Sequence, residues 1–522
     1  MWLRPADRMT WDQQRGQKLR HQLSLGRARR PLSLTALLVS GALIPSLPAG
    51  AQPDPAPGSE RAVYVTNSET SDISRFVIDL ATGRPILTGD PVTAGPGVRQ
   101  MAFTPDARMA YAANAGDGEA GTISAYTVGP QGRLTPQATV RTGGNTPLGI
   151  VVTPGGHFLY VAHVFSKSVA GFAIAPDGRI SPLRGSPTQT SVANPRGLAV
   201  TPDGRFLYAG HGDPGPDRLT SVGAISTFAI RGDGTLAEVK PPIRLGRFCG
   251  AITIAPDGRH LYLTCSDTSQ IYGFAIGSDG ALTALPHSPY AVSTFPEGII
   301  TSPDGRFVYV ASPAPGAGNT PPGDGAVSGF SVGADGALTP VKGSPVPAGI
   351  GPVGITTSPD GRFLYASTGD PGDGNPDDGL DGALSAFGLG AAGTMRPLPG
   401  SPFTSGGVEP AYGSAAVLPG QGPVAGFTAR VVTGRSAAFD ASASADPDGR
   451  VARYHWDFGD GTSLTTADPR ITHLYPRAGT FRATLVVTDN EGCSTAFIST
   501  GQAVLCNGTP AATTAHDIVI QR

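Results

Sequence analysis

The sequence predicts an all-β protein in which a seven-bladed β-propeller, closed by pairing of its N- and C-terminal strands, is followed by a smaller β domain. Three observations support this fold class. A hairpin motif ending in tyrosine recurs at intervals of 47 to 56 residues, the strand pattern changes after residue 418, and the 522 residues include 73 Gly and 50 Pro. This composition is typical of many short strands joined by tight turns.

The first fifty residues have the features of an export signal. Basic residues up to Arg30 precede a weakly polar run, Leu32–Leu47, and Ala49-Gly50-Ala51 is a small-x-small cleavage pattern. We expect residues 1–51 to be a signal peptide, so that the mature protein is secreted without a membrane span. A retained anchor is the alternative, although the run is short for a span of about 20 residues. Arg29-Arg30 leaves twin-arginine and general export both open.

The hairpin motif is complete at residues 201–208, Thr-Pro-Asp-Gly-Arg-Phe-Leu-Tyr. Pro202 has the fixed φ of a turn's second residue, and Gly204 suits the left-handed position that closes a three-residue loop. Each copy therefore predicts two strands around a turn, and a third strand, an Asp-Gly turn and an edge strand complete a blade. The motif tyrosines are Tyr64, Tyr111, Tyr160, Tyr208, Tyr262, Tyr309 and Tyr365.

Ring closure is predicted from the two ends of this array. Tyr64 lacks the inner strand that precedes the other six tyrosines, whereas residues 413–418 form an inner strand with no tyrosine strand after it. We expect Ser414–Val417 to pair with Ala62–Thr66, so that the propeller spans residues 61–418. Closure leaves no open edge at the ends of the array.

Four cysteines in an exported chain predict two disulfides. If Pro256–Gly258 is a three-residue loop, Ala255 faces Arg259 and Cys249 lies opposite Cys265, within reach of a disulfide. Cys493 and Cys506 then remain for each other. Buried free thiols are the alternative.

Several strings carry a resemblance to a known family. Tyr64-Val65-Thr66-Asn67, Tyr160-Val161-Ala162-His163 and Tyr309-Val310-Ala311-Ser312 resemble the YVTN repeat of lactonase-type, 6-phosphogluconolactonase-like propellers. The resemblance covers roughly residues 61–418 and implies the seven-bladed fold. It does not imply one activity, because the family includes sugar lactonases, muconate-lactonising relatives and surface proteins without known chemistry.

The C-terminal region carries a second resemblance. After a turn-rich linker at 419–423, the string Trp456-Asp457-Phe458-Gly459-Asp460-Gly461 resembles the PKD module, which implies an immunoglobulin-like β-sandwich over residues 424–506. Alternation along a strand places Trp456 and Phe458 in the core and Asp457 outside. We expect residues 507–522 to be a tail.

Polar residues gather on one predicted face of the propeller, around the mouth of its central channel, where inner strands begin and the loops after the tyrosine strands lie. Arginine forks here suit a carboxylated or phosphorylated sugar-like ligand. The candidate catalytic residues are Arg196, Glu297, His163 and His211, and the candidate ligand-binding residues are Arg99, Arg247, Asn67, Asn114 and Asp267.

Two functions follow from this face. A lactonase needs an activated water and an oxyanion donor, which a histidine or glutamate and an arginine supply. The resemblance implies a Pro-Arg-His string at an inner-strand start, but here Pro195-Arg196 is followed by Gly197. This departure favours a protein that binds glycan, cell-wall polymer or another protein. A secreted sugar lactonase, with His163 or His211 replacing the missing histidine, is the alternative.

Calcium is the only cofactor that the sequence suggests. Candidate ligands are the loop residues Asp373, Asp377 and Asp378 and the PKD turn residues Asp446, Asp448, Asp457 and Asp460. Carboxylates suit calcium, but turn aspartates more often bond their own backbone, so we expect no obligatory cofactor.

The charge balance excludes one class of partner. A net charge of −2 and a charged fraction of 15% provide no field that would recruit nucleic acid. We expect a monomer whose partner is a glycan, a lactone or a cell-surface protein.

Overall fold

Each tyrosine hairpin forms the inner half of one antiparallel sheet, and seven such sheets make the propeller. The computed structural model describes residues 60–116, 120–213, 222–313, 325–369, 382–408 and 410–521. The predicted signal peptide, 1–51, lies outside these residues. Each inner strand contacts the inner strands of both neighbouring blades, so the sheets surround one channel.

The blades are numbered along the chain, and their strands are given from the channel outward. In blades 1, 2, 3 and 4 they are Pro410–Val417, Glu60–Asn67, Asp72–Asp79, Pro85–Leu87 and Val92–Thr93; Val98–Phe103, Met109–Asn114, Ala120–Val128 and Leu134–Asn145; Pro147–Val152, Phe158–His163, Ser168–Ile174, Ile180–Pro182 and Thr188–Gln189; and Pro195–Val200, Phe206–Asp213, Val222–Ile230 and Leu236–Leu245.

In blades 5, 6 and 7 the strands are Cys249–Ile254, His260–Cys265, Gln270–Ile276, Leu282–Ala284 and Tyr290–Ala291; Gly298–Thr301, Phe307–Ser312, Ala326–Val332, Leu338–Pro340 and Val346–Pro347; and Gly354–Thr357, Phe363–Thr368, Ala383–Leu389, Met395–Pro397 and Phe403–Thr404. The outer position is therefore split into two short strands in five of the seven blades.

The turn motif is held by its own side chains. Asp203 accepts hydrogen bonds from the Thr201 hydroxyl (2.6 Å) and from the backbone N–H and Nε of Arg205 (3.1 and 2.7 Å). Gly204 has φ +73°, a conformation that is costly for residues with a Cβ. These bonds explain why Thr, Asp, Gly and Arg recur in the turn.

The hairpin register differs from the prediction in one respect. Ala255 bonds to His260 and not to Arg259, so the loop is one residue longer than expected. A β-bulge between Cys249 and Ile252 then shifts the register by one residue in the other strand. The two irregularities cancel, and Cys249 lies opposite Cys265 and is bonded to it, as predicted. The second disulfide joins Cys493 to Cys506.

Ring closure is confirmed. Val63, Tyr64 and Val65 pair with Val417, Ala416 and Ala415, so the two ends of the propeller chain share blade 1. This pairing completes the only blade that is built from distant parts of the sequence.

A second set of hydrogen bonds joins each blade to the next. Every motif tyrosine is fully buried, and its hydroxyl donates to the carbonyl of a glycine in the outer turn of the following blade. The ring ends where Tyr365 of blade 7 donates to Gly83 of blade 1 (2.8 Å). The other pairs are Tyr64–Gly132, Tyr111–Gly178, Tyr160–Gly234, Tyr208–Gly280, Tyr262–Gly336 and Tyr309–Gly393.

The C-terminal domain is a β-sandwich around a single aromatic core. Trp456 and Phe458 are buried in this core and Asp457 is exposed, as the alternation predicts. Its three sheets are Gly420–Gln421, Val504–Asn507 and Ile498–Ser499; Thr428–Thr433, Ser436–Asp440 and Arg470–Leu474; and Ser463–Thr466, Val451–Asp457, Gly479–Asp489 and Thr513–Ile520. Short 3-10 helices lie at Pro130–Gly132, Ser266–Thr268 and Pro510–Ala512.

Two segments outside the predicted sandwich belong to it. The expected tail, 507–522, contains the edge strand Thr513–Ile520, which pairs with Gly479–Val486 along its full length. Ile518 and Ile520 of this strand are buried in the core. The expected linker likewise pairs through Gly420–Gln421 with Cys506–Asn507. Sequence alternation missed the edge strand because only its last four residues alternate between buried and exposed positions.

The sandwich closes one end of the propeller channel. The residues 498–507, here called the plug hairpin, reach the ends of two inner strands, where Val200 N–H donates to Gly501 (2.9 Å) and Ile254 N–H donates to Thr500 (2.8 Å). Val200 comes directly before the turn Thr-Pro-Asp-Gly-Arg, and Ile254 directly before the turn Ala-Pro-Asp-Gly-Arg, so the hairpin enters from the face opposite the mouth. Inner-strand amides have no further strand to pair with, and the hairpin satisfies two of them.

A buried ion pair accompanies this contact. Arg61 of blade 1 donates to Glu491 (2.6 Å) and to Asp448 (2.8 Å) of the sandwich, and Arg61 and Glu491 are both almost fully buried. Losing one partner of a buried pair leaves an uncompensated charge. The propeller and the sandwich thus pack together as one compact unit.

Removing the hydroxyl that closes the ring tests the contribution of the tyrosine bonds. We expect Tyr365→Phe to lower the free energy of unfolding by about 1–2 kcal/mol, because the buried carbonyl of Gly83 loses its donor. Urea titration followed by circular dichroism measures this change. Tyr272→Phe is the matched control, since the Tyr272 hydroxyl bonds only to Gln270 in its own strand. Equal effects for the two variants would contradict a special role for the bonds between blades.

Displacing the plug hairpin tests its contact with the channel. Gly501 has φ +79°, and a Cβ there would lie 3.1 Å from Ala199 and from Ile254. We expect Gly501→Val to increase amide hydrogen exchange at Val200 and Ile254 at least tenfold, while the amide of Thr201, bonded to Phe206 within its blade, stays protected. Gly461→Val is the control, because Gly461 is also left-handed but has no atom within 4 Å of a Cβ.

Candidate functional site

Three candidate side chains occupy one repeated position around the mouth. Arg99, Arg196 and Glu297 each lie three residues before the inner-strand residue that pairs with the motif tyrosine, in blades 2, 4 and 6. Equivalent positions in a closed ring of blades face the same axis. The two arginines are half-buried, and Glu297 is 9% exposed.

The channel beneath this mouth is nearly filled. A cavity of about 30 Å³ lies between the inner strands and the plug hairpin, with Gln100, Glu297 and Gln502 as its polar lining. Such a volume holds roughly one or two water molecules. Inner strands approach closely because glycines line it; a Cβ at Gly298 would lie 2.9 Å from the carbonyl of Val353. A ligand of sugar size therefore does not fit inside this cavity.

The four candidates that lie three residues after a motif tyrosine are not exposed at this mouth. Asn67, Asn114, His163 and His211 have no exposed surface, and each bonds to the protein. Asn67 and Asn114 donate to Ser74 and Ser124 of the next strand (2.8 and 2.9 Å). His163 Nδ1 lies 3.1 Å from the Ser168 hydroxyl, and His211 Nδ1 donates to the carbonyl of Ala193 (3.1 Å).

Burial also decides the charge of the two histidines. It lowers the pKa of His163 to about 4, and it lowers the pKa of His211 to about 4 despite the hydrogen bond to Ala193, which acts in the opposite direction. Both imidazoles are therefore neutral at physiological pH. They serve as polar groups of the blade interior, in the position that is Cys265 in blade 5.

Arg196 packs against two aromatic residues that the sequence analysis did not identify as candidates. Its guanidinium carbon lies 4.3 Å from the centre of the Phe248 ring, and Phe248 is stacked on Phe295 with ring centres 6.2 Å apart and an angle of 26°. The three planar groups come from the mouth side of blades 4, 5 and 6, and all three are half-buried. We call Arg196, Phe248 and Phe295 the aromatic cluster.

Both phenylalanines occupy a left-handed backbone position. Phe248 and Phe295 have φ +54° and +58°. The same position, five residues before the partner of the motif tyrosine, is also left-handed in four other blades, where it is Gly97, Thr146, Asn194 and Gly351. Glycine and asparagine suit this conformation, whereas for a bulky residue it costs about 1–2 kcal/mol. The geometry of the blades explains the left-handed conformation, but it does not explain why phenylalanine occupies this position in blades 5 and 6.

One short segment holds both phenylalanines in place. The N–H of Ser266 donates to the carbonyl of Phe248 (2.9 Å), and the N–H of Phe295 donates to the hydroxyl of Ser269 (3.3 Å). The Ser266 hydroxyl also donates to the carbonyl of Pro296 (2.7 Å). The Cys249–Cys265 disulfide lies directly beside Phe248 and Ser266 in the sequence. The cluster is thus built on a covalently fixed part of the mouth.

The comparisons with known proteins agree with this architecture. The family profile described as "Lactonase, 7-bladed beta-propeller" matches residues 62–371, which is more than half of the chain. The chain belongs to this lactonase propeller family. A PKD domain profile matches residues 421–504.

Solved structures show the same fold for the lactonase-family propeller. A protein from Bacteroides uniformis assigned as a 6-phosphogluconolactonase is 18% identical with a TM-score of 0.57, and the match covers 69% of this chain and 99% of that one. The periplasmic gluconolactonase PpgL of Pseudomonas aeruginosa is 21% identical with a TM-score of 0.53, with coverage of 69% and 99%. At these identities the likeness concerns the fold alone.

Curated relatives match a short segment of the chain. Collagenase ColQ1 of Bacillus cereus is 41% identical over 54 residues, 10% of this chain and 5% of that protein. The metalloprotease PrtV of Vibrio cholerae is 47% identical over 51 residues, with the same two shares. The chain thus spans about one-twentieth of these relatives, so their activities have no counterpart in this match.

The remaining candidates of this lactonase-family propeller are placed as follows. Arg247 and Asp267 are half-buried neighbours of Phe248 and Ser266 at the mouth. Asp373, Asp377 and Asp378 lie outside the described residues. Within the part of the chain that the structure describes, no group of three or more His, Cys, Asp or Glu is arranged to hold a metal ion, and no helix is long and apolar enough to cross a membrane.

The aspartates of the PKD turns have protein partners or are buried. Asp448 binds Arg61, Asp460 lies 2.8 Å from His473, and Asp457 accepts from the N–H of Gly459 (2.9 Å). Burial, with the nearby charges of Asp448 and Asp489, raises the pKa of Asp446 to about 7. Asp457 and also Asp460, which accepts from the N–H of Thr462 (3.0 Å), make the local backbone bonds expected of turn aspartates. Asp448 instead bonds to a side chain of the propeller.

The aromatic cluster could have been found from the sequence. Aligning the repeats on their tyrosines places Phe248 and Phe295 at the same position as Gly97, Asn194 and Gly351. A large apolar residue where other repeats have glycine or asparagine is a departure from the demand of the turn. What the alignment lacks is the stacking with Arg196, which depends on the curvature of the ring.

The buried histidines predict a dependence of stability on pH. The pKa of His163 is about 6.5 in the unfolded chain and about 4 in the folded one. Its neutral imidazole therefore contributes fully to the free energy of unfolding above pH 6.5, and this contribution is lost as the pH falls towards 4. We expect His163→Asn, which copies Asn67 and Asn114, to remove about 1–2 kcal/mol of the destabilisation seen between pH 7.5 and pH 5. Urea titrations at both pH values measure this difference. His157→Asn, at a surface turn, is the control.

Proposed function

We propose that this chain is an exported protein that binds a glycan at the mouth of its propeller without hydrolysing it. Export rests on the predicted leader at 1–51, and two disulfides and a PKD domain fit an extracellular protein. The binding proposal is based on the different positions of the charged candidates and of the two histidines. Arg99, Arg196 and Glu297 share one position at the start of inner strands, whereas both histidines are buried and neutral.

The absence of a histidine at residue 197 supports binding over catalysis. The family resemblance implies a histidine after Pro195-Arg196, and here Gly197 lines the channel cavity without a side chain. His163 and His211 cannot replace it, because a general base must reach the attacking water. A mouth with arginine donors and aromatic surface still supplies the contacts that hold a sugar.

The alternative is a lactone hydrolase, and the family match favours it. Glu297 is its candidate general base and Arg196 or Arg99 its oxyanion donor, since the three occupy equivalent positions in alternate blades. In this alternative the sugar lactone lies over the mouth, at the place proposed above for the glycan.

Assays with lactones and oligosaccharides separate the two functions. With glucono-lactone, 6-phosphogluconolactone and aliphatic lactones in a pH-stat, we expect the wild-type rate to equal the uncatalysed rate. In calorimetric titrations with a panel of oligosaccharides, we expect binding that weakens at least tenfold in Arg196→Ala. Arg205→Ala, which changes an exposed arginine on the opposite face, is the control. Hydrolysis by the wild type that Arg196→Ala loses would replace the binding proposal with the alternative.

A further inference from the structure

The aromatic cluster is the part of the mouth whose residues the fold does not require. The backbone position of Phe248 and Phe295 is filled by Gly97, Thr146, Asn194 and Gly351 in other blades, with the same left-handed conformation, and in none of these four is the residue large and apolar. Two phenylalanines in neighbouring blades depart from this preference, and their rings meet. Strained residues of this kind cluster at ligand sites, where the side chain has a use that offsets the strain.

The chemistry of the cluster selects one kind of ligand. An aromatic surface packs against the apolar C–H face of a pyranose ring, and the guanidinium of Arg196 offers parallel N–H donors that match a carboxylate. Stacking on Phe248 holds the plane of that guanidinium, so less freedom is lost when it binds an anion. Arg247, the residue before Phe248, adds positive charge to the same rim.

We propose that the aromatic cluster is a binding site for a sugar acid, a pyranose ring that carries a carboxylate, as in a uronic acid unit of a polysaccharide. The ring lies against the phenylalanines, and the carboxylate is held by Arg196. This inference rests on the proposed glycan-binding function and specifies its ligand class. The site needs no entry into the channel, whose cavity of about 30 Å³ is too small for a sugar.

The fixed geometry of the cluster supports this assignment. Ser266 and Ser269 hold the backbone of both phenylalanines, and the adjacent Cys249–Cys265 disulfide fixes the strand from which Phe248 extends. A rigid site loses little conformational entropy on binding, which favours affinity for a small rigid ring.

Residues that occupy the equivalent position in other blades provide the substitutions for the test. Phe248→Asn and Phe295→Asn place asparagine where blade 4 has Asn194, so the backbone conformation is retained and its strain is relieved. In calorimetric titrations of the full chain with trigalacturonate, we expect each variant to bind at least tenfold more weakly than the wild type, with a melting temperature that is unchanged or higher. Thr146→Asn, at the same position in blade 3, is the matched control and should bind as the wild type does.

Three further results would overturn the proposal. If galactotriose, the neutral trisaccharide, binds within threefold of trigalacturonate, the carboxylate is not recognised. If trigalacturonate binds equally to wild type and to both asparagine variants, the aromatic cluster is not the site, although the proposed function stands. If the wild type binds neither trisaccharide nor any other oligosaccharide of the panel, the proposed function fails as well. Weakening of trigalacturonate binding by Arg196→Gln and by increased salt would support the ion pair.

Discussion

Each blade is joined to the next by a tyrosine hydroxyl that reaches a carbonyl in an outer turn of the following sheet. The seven sheets share no strands, so between blades these seven bonds accompany apolar packing where no ladder of backbone hydrogen bonds exists. Their geometry requires the tyrosine and the turn glycine to recur in every blade, although their separation in sequence varies from 67 to 84 residues in the six pairs other than Tyr365–Gly83. The Tyr365–Gly83 bond and the shared blade 1 then join the last blade to the first. The regular sequence of the propeller is the consequence of this demand.

The same ring leaves a narrow channel with inward-facing backbone groups. The plug hairpin of the sandwich supplies acceptors to the amides of Val200 and Ile254, and Arg61 places its charge between two carboxylates of the sandwich. The PKD domain is therefore a structural part of the propeller hub in this chain. Because it occupies the turn face, the opposite face is left for a ligand.

Function in such a repeat lies where a residue departs from what its position requires. The residue three positions after each motif tyrosine is polar or small and buried in every blade, although its identity changes: Asn67, Asn114, His163, His211, Cys265, Ser312 and Thr368. At the mouth, by contrast, Arg196, Phe248 and Phe295 come from three neighbouring blades and stack on one another. The buried histidines are a structural feature, and the aromatic cluster is the feature that the fold leaves unexplained.

The sequence by itself determined the number of blades, the strand that closes the ring, the pairing of Cys249 with Cys265 and the core positions of Trp456 and Phe458. These follow from local turn chemistry and from alternation along a strand, which a single sequence records. The tertiary structure decided the rest. It buried His163 and His211, because the face of a strand that the next blade covers depends on the curvature of the ring. It assembled Arg196, Phe248 and Phe295 from three blades. It also placed the strand Thr513–Ile520 in the sandwich and the plug hairpin at the channel. Contacts between distant segments leave no periodic signal in either segment.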